Sequence, residues 1–231
     1  MRVSVRRAAF VVVIVCLLAG LLTGVRTWHA RAAADAIGRA RCHDFAAAHA
    51  ARTAAVSGTG RRVVVIGDSW SAGLGLADPD RSWPARLPGR VYVDGFSGSG
   101  FSAYASPCGP VAYFQRAHRA VQGGADLVVV EGGLNDVDQS SAAITDGFHQ
   151  LIAALRGRDV VVVGPPMAPS RAAGVPRVDR LLAALSKDAA VPYLSTVDLR
   201  LGYQPDRLHP TQAGADAFGD AVAAFVAGRP A

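Results

Sequence analysis

Val63-Val64-Val65-Ile66-Gly67-Asp68-Ser69 is the stretch on which the fold turns. Four consecutive β-branched residues make a strand that is apolar at every position. Such a strand is buried on both faces and belongs in a parallel sheet. Gly67-Asp68-Ser69 then breaks the run and marks its carboxyl end. The same pattern recurs along the chain. Val91-Tyr92-Val93, Leu127-Val128-Val129-Val130 and Val160-Val161-Val162-Val163 are further strands, and Val191-Pro192-Tyr193-Leu194 is a weaker fifth. Between them, Ala142 to Leu155 and Arg177 to Ala190 carry apolar residues at helical spacing. Strands alternating with helices imply an α/β fold, a three-layer α/β/α sandwich with a mostly parallel five-stranded sheet.

In such sheets the ligand site lies beyond the carboxyl ends of the strands. Polar and glycine-rich segments stand there. Gly67-Asp68-Ser69 follows the first strand, Asp94-Gly95-Phe96-Ser97-Gly98-Ser99-Gly100 the second, and Glu131-Gly132-Gly133-Leu134-Asn135-Asp136 the third. Asp206-Arg207-Leu208-His209-Pro210-Thr211 lies near the C-terminus. Ser69 stands at a strand-to-helix turn, where a hydroxyl is presented either as a nucleophile or as a helix cap. His209 is the one histidine of six with a carboxylate three residues before it and a Pro-Thr tail after it. Asp206 is placed to fix its tautomer. Gly98 lets a backbone N–H approach a substrate closely, and Asn135 offers an uncharged amide donor.

Taken in order, these four segments resemble the blocks of the SGNH/GDSL hydrolase family over residues 61 to 228. Gly67-Asp68-Ser69 resembles the block with the nucleophilic serine. Gly98 corresponds to the glycine of the second block, with Gly100 as the competing candidate. Gly133-Leu134-Asn135-Asp136 resembles the Gly-x-Asn-Asp block, and Asp206-Arg207-Leu208-His209 the Asp-x-x-His block. The first block continues with Trp70 where leucine is usual, and Asp94 stands where an asparagine is often found nearby. The resemblance implies a flavodoxin-like sheet and a serine esterase. Its catalytic residues would be Ser69, Asp206 and His209, and its oxyanion hole Ser69, Gly98 and Asn135. It implies neither a metal nor an organic cofactor. The same site would suit an acyltransferase of cell-envelope sugars or lipids, or a binding module that keeps the fold without activity. Phe101, Tyr104, Tyr113 and Met167 are either acyl-pocket residues or ordinary core.

The 231 residues carry a net charge of +6. Residues 1 to 62 hold ten Arg and two Asp, a net of +8, so the remainder is mildly acidic. No basic stripe with interleaved aromatics is present there, which argues against nucleic acid as a partner. The uncharged run Ala8 to Val25 follows three arginines and reads as a signal anchor, in preference to a cleaved signal peptide. Residues 26 to 60 read as an Ala/Arg-rich helical stalk, leaving 61 to 231 as the hydrolase domain. That domain is expected to be monomeric and to lie on the extracytoplasmic side of the cell membrane, or to be secreted if the segment is cleaved. Cys42 and Cys108 there either pair as a disulfide or remain two thiols.

Overall fold

The computed structural model describes residues 2–229, with side chains described from Arg26 onward. It contains two compact units, Met1–His43 and Asp44–Ala231. The first is wholly helical where described and belongs to α1, Arg2–Ala54. The apolar run 8–25, read above as a signal anchor, lies outside the residues whose side chains are described. Among the described residues, no helix is long and apolar enough to cross a membrane.

The second unit contains the sheet. Its strands are β1 Val56–Ser57, β2 Arg62–Gly67, β3 Arg90–Gly95, β4 Leu127–Glu131, β5 Val160–Val163 and β6 Tyr193–Leu194. They are ordered β1-β3-β2-β4-β5-β6. Every neighbouring pair is parallel except β1 with β3, which is antiparallel. The sheet therefore has six strands and is mixed, where the sequence suggested five. The additional strand is two residues long, too short to show a pattern, and lies in the segment read as a linker.

Alternate side chains of the central strands feed two separate cores. Val63, Val65 and Val129 face one way with Trp70, Trp83 and Phe218. Val64, Ile66, Val128 and Val130 face the other way with Phe101, Tyr113 and Phe148. The second core is covered by α3 Tyr113–Ala120, α4 Ser141–Ala154 and α5 Val175–Asp188. The first is covered mainly by α6 Gln212–Ala227. Burial on both faces is the condition under which uniformly apolar parallel strands are stable, and it produces the three layers.

The compact unit begins earlier than Arg61. The last turns of α1 pack onto it, with His49 Nδ1 3.1 Å from the Gly95 carbonyl oxygen and Arg52 donating to Ser82 Oγ at 3.4 Å. Phe45 meets Phe96 edge to face. Together with the β1–β3 pairing, these contacts make 44–57 part of the sandwich and not of a stalk. Cys42 and Cys108 are each disulfide-bonded.

Phe218 on α6 is the hub of the first core, edge-on to both Trp70 and Trp83 at 5.2 and 5.5 Å. It is fully buried. Replacing Phe218 with alanine should destabilise the protein by about 3–5 kcal/mol, read as a lowered midpoint of urea denaturation with an unchanged slope.

Candidate functional site

The site forms where β2, β3 and β4 end. β2 and β3 stop in register at Gly67 and Gly95. Both positions demand glycine for close approach: an added Cβ would lie 2.1 Å from Ser71 Oγ at Gly67 and 2.6 Å from the Ala72 nitrogen at Gly95. This lets the one-turn helix α2, Ser69–Ala72, sit directly on the strand ends. Asp68 caps that turn, its Oδ1 accepting from the Trp70 N–H at 2.9 Å. Gly73 ends it in the left-handed conformation at φ 79°. Ser69 thus starts the turn, with little of its surface exposed.

His209 arrives from the other end of the sequence. Its Nε2 lies 3.0 Å from Ser69 Oγ, and its Nδ1 lies 2.6 Å from Asp206 Oδ2. The loop that carries it is pinned on several sides. Trp70 Nε1 donates to the Leu208 carbonyl at 3.2 Å, and the Gln204 N–H donates to the His209 carbonyl at 2.8 Å. Arg207 turns the chain with φ 58°, and Thr211 caps α6 directly after. Asp206 uses its other oxygen to accept the N–H groups of Leu208 and His209 at 2.9 and 3.0 Å. Slight burial pushes the Asp206 carboxyl up. The hydrogen bonds from the His209 ring and from the two backbone N–H groups outweigh it and hold the group below its ordinary value. An ionised Asp206 accepts a hydrogen bond from Nδ1–H, which fixes the tautomer that keeps Nε2 unprotonated toward Ser69.

Asn135 stands in the short turn after β4. Its Nδ2 donates to the Ser99 carbonyl at 2.8 Å and to Asp68 Oδ2 at 3.2 Å. It bridges the turn that presents Ser69 and the turn that contains Gly98. Gly98 adopts φ 81° in that second turn, which the Ser99 N–H closes onto the Phe96 carbonyl at 3.1 Å. Gly100, the competing candidate, is committed elsewhere. A Cβ there would lie 2.5 Å from Asp136 Oδ2, so it serves the packing of that carboxylate. The structure therefore brings Ser69, His209 and Asp206 into one chain of hydrogen bonds, with Asn135 and the Gly98 turn beside them.

The aromatic candidates divide. Phe101 and Tyr113 are core residues, Met167 packs partly buried against the core, and Tyr104 is exposed.

Several supporting residues were not singled out as site residues in the sequence. Arg116, on α3, is almost fully buried and donates to Asp94, to the Gly67 carbonyl at 2.9 Å and to Ser99 Oγ at 3.1 Å. Asp136 accepts the N–H groups of Phe101 and Ser102 at 3.0 and 2.8 Å. Glu131 Oε2 accepts from Ser71 Oγ at 2.6 Å, and Ser71 Oγ in turn accepts from Trp83 Nε1 at 3.1 Å. Asp68 and Asp136 lie within motifs that the sequence does display. Their signal is an acid among residues otherwise suited to a turn.

Burial dominates the titration of these acids. It pushes Asp68 up to about 7, helped by the charge of Asp136 and opposed by the Trp70 N–H and by Arg116. It pushes Asp136 up to about 6 against its two backbone hydrogen bonds. Glu131 is raised well above the carboxylate range, first by burial and then by Asp68.

Comparison with known proteins agrees with this fold. Residues 65–217 match the model of the GDSL-like lipase/acylhydrolase family. The inhibitor-bound aryl esterase of M. Smegmatis superimposes with a TM-score of 0.65 at 19% identity, covering 73% of this chain and 99% of that one. Est24, a carbohydrate acetylesterase from Sinorhizobium meliloti, gives 0.62 at 19% identity with the same coverages. A family two carbohydrate esterase from Clostridium thermocellum gives 0.59 at 17% identity, covering 73% of this chain and 64% of that one. A search of curated protein sequences finds no match.

A carboxyl raised by folding binds protons that the unfolded chain has already lost, so its contribution to stability grows as pH falls through the window between the two values. For Asp68 that window runs from 3.8 to about 7. His49, lowered chiefly by burial, acts in the opposite sense as it becomes protonated. The gain in melting temperature from pH 7.5 to 5.5 should therefore be larger in the native protein than in Asp68→Asn, measured by calorimetry on both. The match over 65–217 covers most of the sandwich and all four segments of the site, and the chain belongs to the GDSL-like lipase/acylhydrolase family.

Proposed function

We propose that the protein hydrolyses carboxylic esters through an acyl-enzyme on Ser69. The observation that carries this reading is the 3.0 Å approach of His209 Nε2 to Ser69 Oγ. A serine hydroxyl is a poor nucleophile until an adjacent base takes its proton. In the first step Ser69 Oγ attacks the acyl carbonyl while its proton passes to His209 Nε2. The imidazolium so formed is stabilised by Asp206 through Nδ1. The negative charge on the former carbonyl oxygen falls to the N–H groups of Ser69 and Gly98 and to the Asn135 amide. Asn135 exchanges its longer bond, the one to Asp68, for that oxygen. Collapse breaks the ester bond, and His209 returns the proton to the leaving alcohol. A water then enters, gives its proton to His209, and attacks the acyl carbon to free the acid and restore Ser69.

The disulfide state of Cys42 and Cys108 supports an oxidising, extracytoplasmic location for this unit, with Ala8 to Val25 as its anchor. Protease added to intact cells should digest the unit.

Hydrolysis of p-nitrophenyl esters from acetate upward tests the activity. Ser69→Ala and His209→Ala should each lower kcat by about 10³-fold or more. Asn135→Ala should lower kcat by about 10²–10³-fold, as the loss of one oxyanion donor does. Full turnover in Ser69→Ala would end this reading. An added alcohol acceptor that diverts the acyl group from water would identify a transferase.

A further inference from the structure

A cavity of ≈ 330 Å³ lies between the last turns of α1 and the segment that follows α2. Its walls include Ala48 and Ala51 of α1, Leu74, Leu76, Pro79 and Ser97. Three of its lining residues adjoin the site. The Leu74 N–H donates to the Ser69 carbonyl at 2.9 Å, so that wall continues directly from the helix of the nucleophile. Gly75, also in the lining, packs against Gln204, whose backbone N–H holds the His209 carbonyl. Ser97 directly precedes Gly98.

We propose that this cavity takes the apolar part of the ester, a medium-length acyl chain or an aryl group, and that Ala48 and Ala51 determine how much of it is accepted. The inference rests on the ester hydrolase reading of Ser69. Size favours such a group. An apolar cavity of about 150 Å³ holds one benzene, so ≈ 330 Å³ has room for considerably more than an acetyl group. Chemistry favours it too: six of the eleven lining residues are alanine, leucine or proline, and the two charged ones, Arg52 and Asp80, pair with each other at 3.8 Å. Ala48 and Ala51 are three residues apart and therefore neighbours on one helical face. Both are exposed, so a longer side chain at either position can extend into the cavity without entering the core. The bonds of His49 to Gly95 and of Arg52 to Ser82 hold this wall in place. It stands outside the family match, which begins at residue 65.

The full-length protein and its Ala48→Leu/Ala51→Leu variant test the proposal. Leucine is a strong helix former, and an unchanged melting temperature confirms that the variant folds. The variant should lose about tenfold or more in kcat/KM for p-nitrophenyl octanoate, chiefly through KM, while p-nitrophenyl acetate stays within about twofold. Equal losses for the two esters, or none for either, would overturn the proposal while leaving the esterase reading intact. Binding of p-nitrophenyl octanoate to Ser69→Ala, measured by calorimetry, needs no turnover. If the native protein hydrolyses neither ester, the esterase reading fails, and this binding decides the cavity alone. A Kd weakened about tenfold by the two leucines supports the subsite, and an unchanged Kd removes it.

Discussion

Arg116 is the brace on which the site depends. Its guanidinium is nearly inaccessible to water and spends its donors on Asp94, on the Gly67 carbonyl and on Ser99. Those three partners belong to the end of β3, the end of β2 and the turn that contains Gly98. One side chain therefore fixes the spacing between the turn that presents Ser69 and the turn beside Asn135. A buried charge pair of this kind adds little net stability over an apolar substitute, but losing one partner costs about 3–5 kcal/mol, because the other is left uncompensated. The arrangement is specific more than it is stabilising. It makes any other placement of the two turns expensive.

Beneath Ser69 the structure gathers carboxyl groups in place of hydrophobic residues. Asp68, Asp136 and Glu131 are all buried. Each earns its position through backbone or hydroxyl donors: Asp68 caps α2, Asp136 collects two N–H groups, and Glu131 holds Ser71. These bonds shape loops that no regular ladder can hold, which is why acids survive where burial penalises them. The consequence is a frame whose carboxyl groups are pushed by burial toward the neutral form.

The apolar runs made the central sheet legible because their chemistry admits few alternatives. Val63–Ile66 and Val160–Val163 are β-branched throughout, and each lies between two other strands of the sheet. The helices at 141–154 and 175–188 lie within two residues of their expected ends. Ser69, His209 and Asp206 were legible as residues through their local motifs, and a resemblance joined what 140 positions separate. Three features stayed hidden. β1 is too short to show alternation, and the docking of 44–54 depends on His49 and Arg52, polar residues on a helix that reads as a stalk. Arg116 looks like any surface arginine on an amphipathic helix, because its partners (the Asp94 carboxylate, the Ser99 hydroxyl and the Gly67 carbonyl) lie 17 or more positions away and nothing local marks them.

The two-residue strand β1 also bears on how the molecule behaves in a crowded solution. It runs antiparallel along the outer side of β3, pairing Val56 with Tyr92 and Ser57 with Val91. Without it, the ladder groups of β3 would face solvent beside apolar side chains, an open template for strands of other molecules. A cover of two residues, turned against the direction of the sheet and ended by Gly58 and Gly60, offers no comparable length for the next strand to add to. Two ladder positions of β3 are thereby covered, at Val91 and Tyr92.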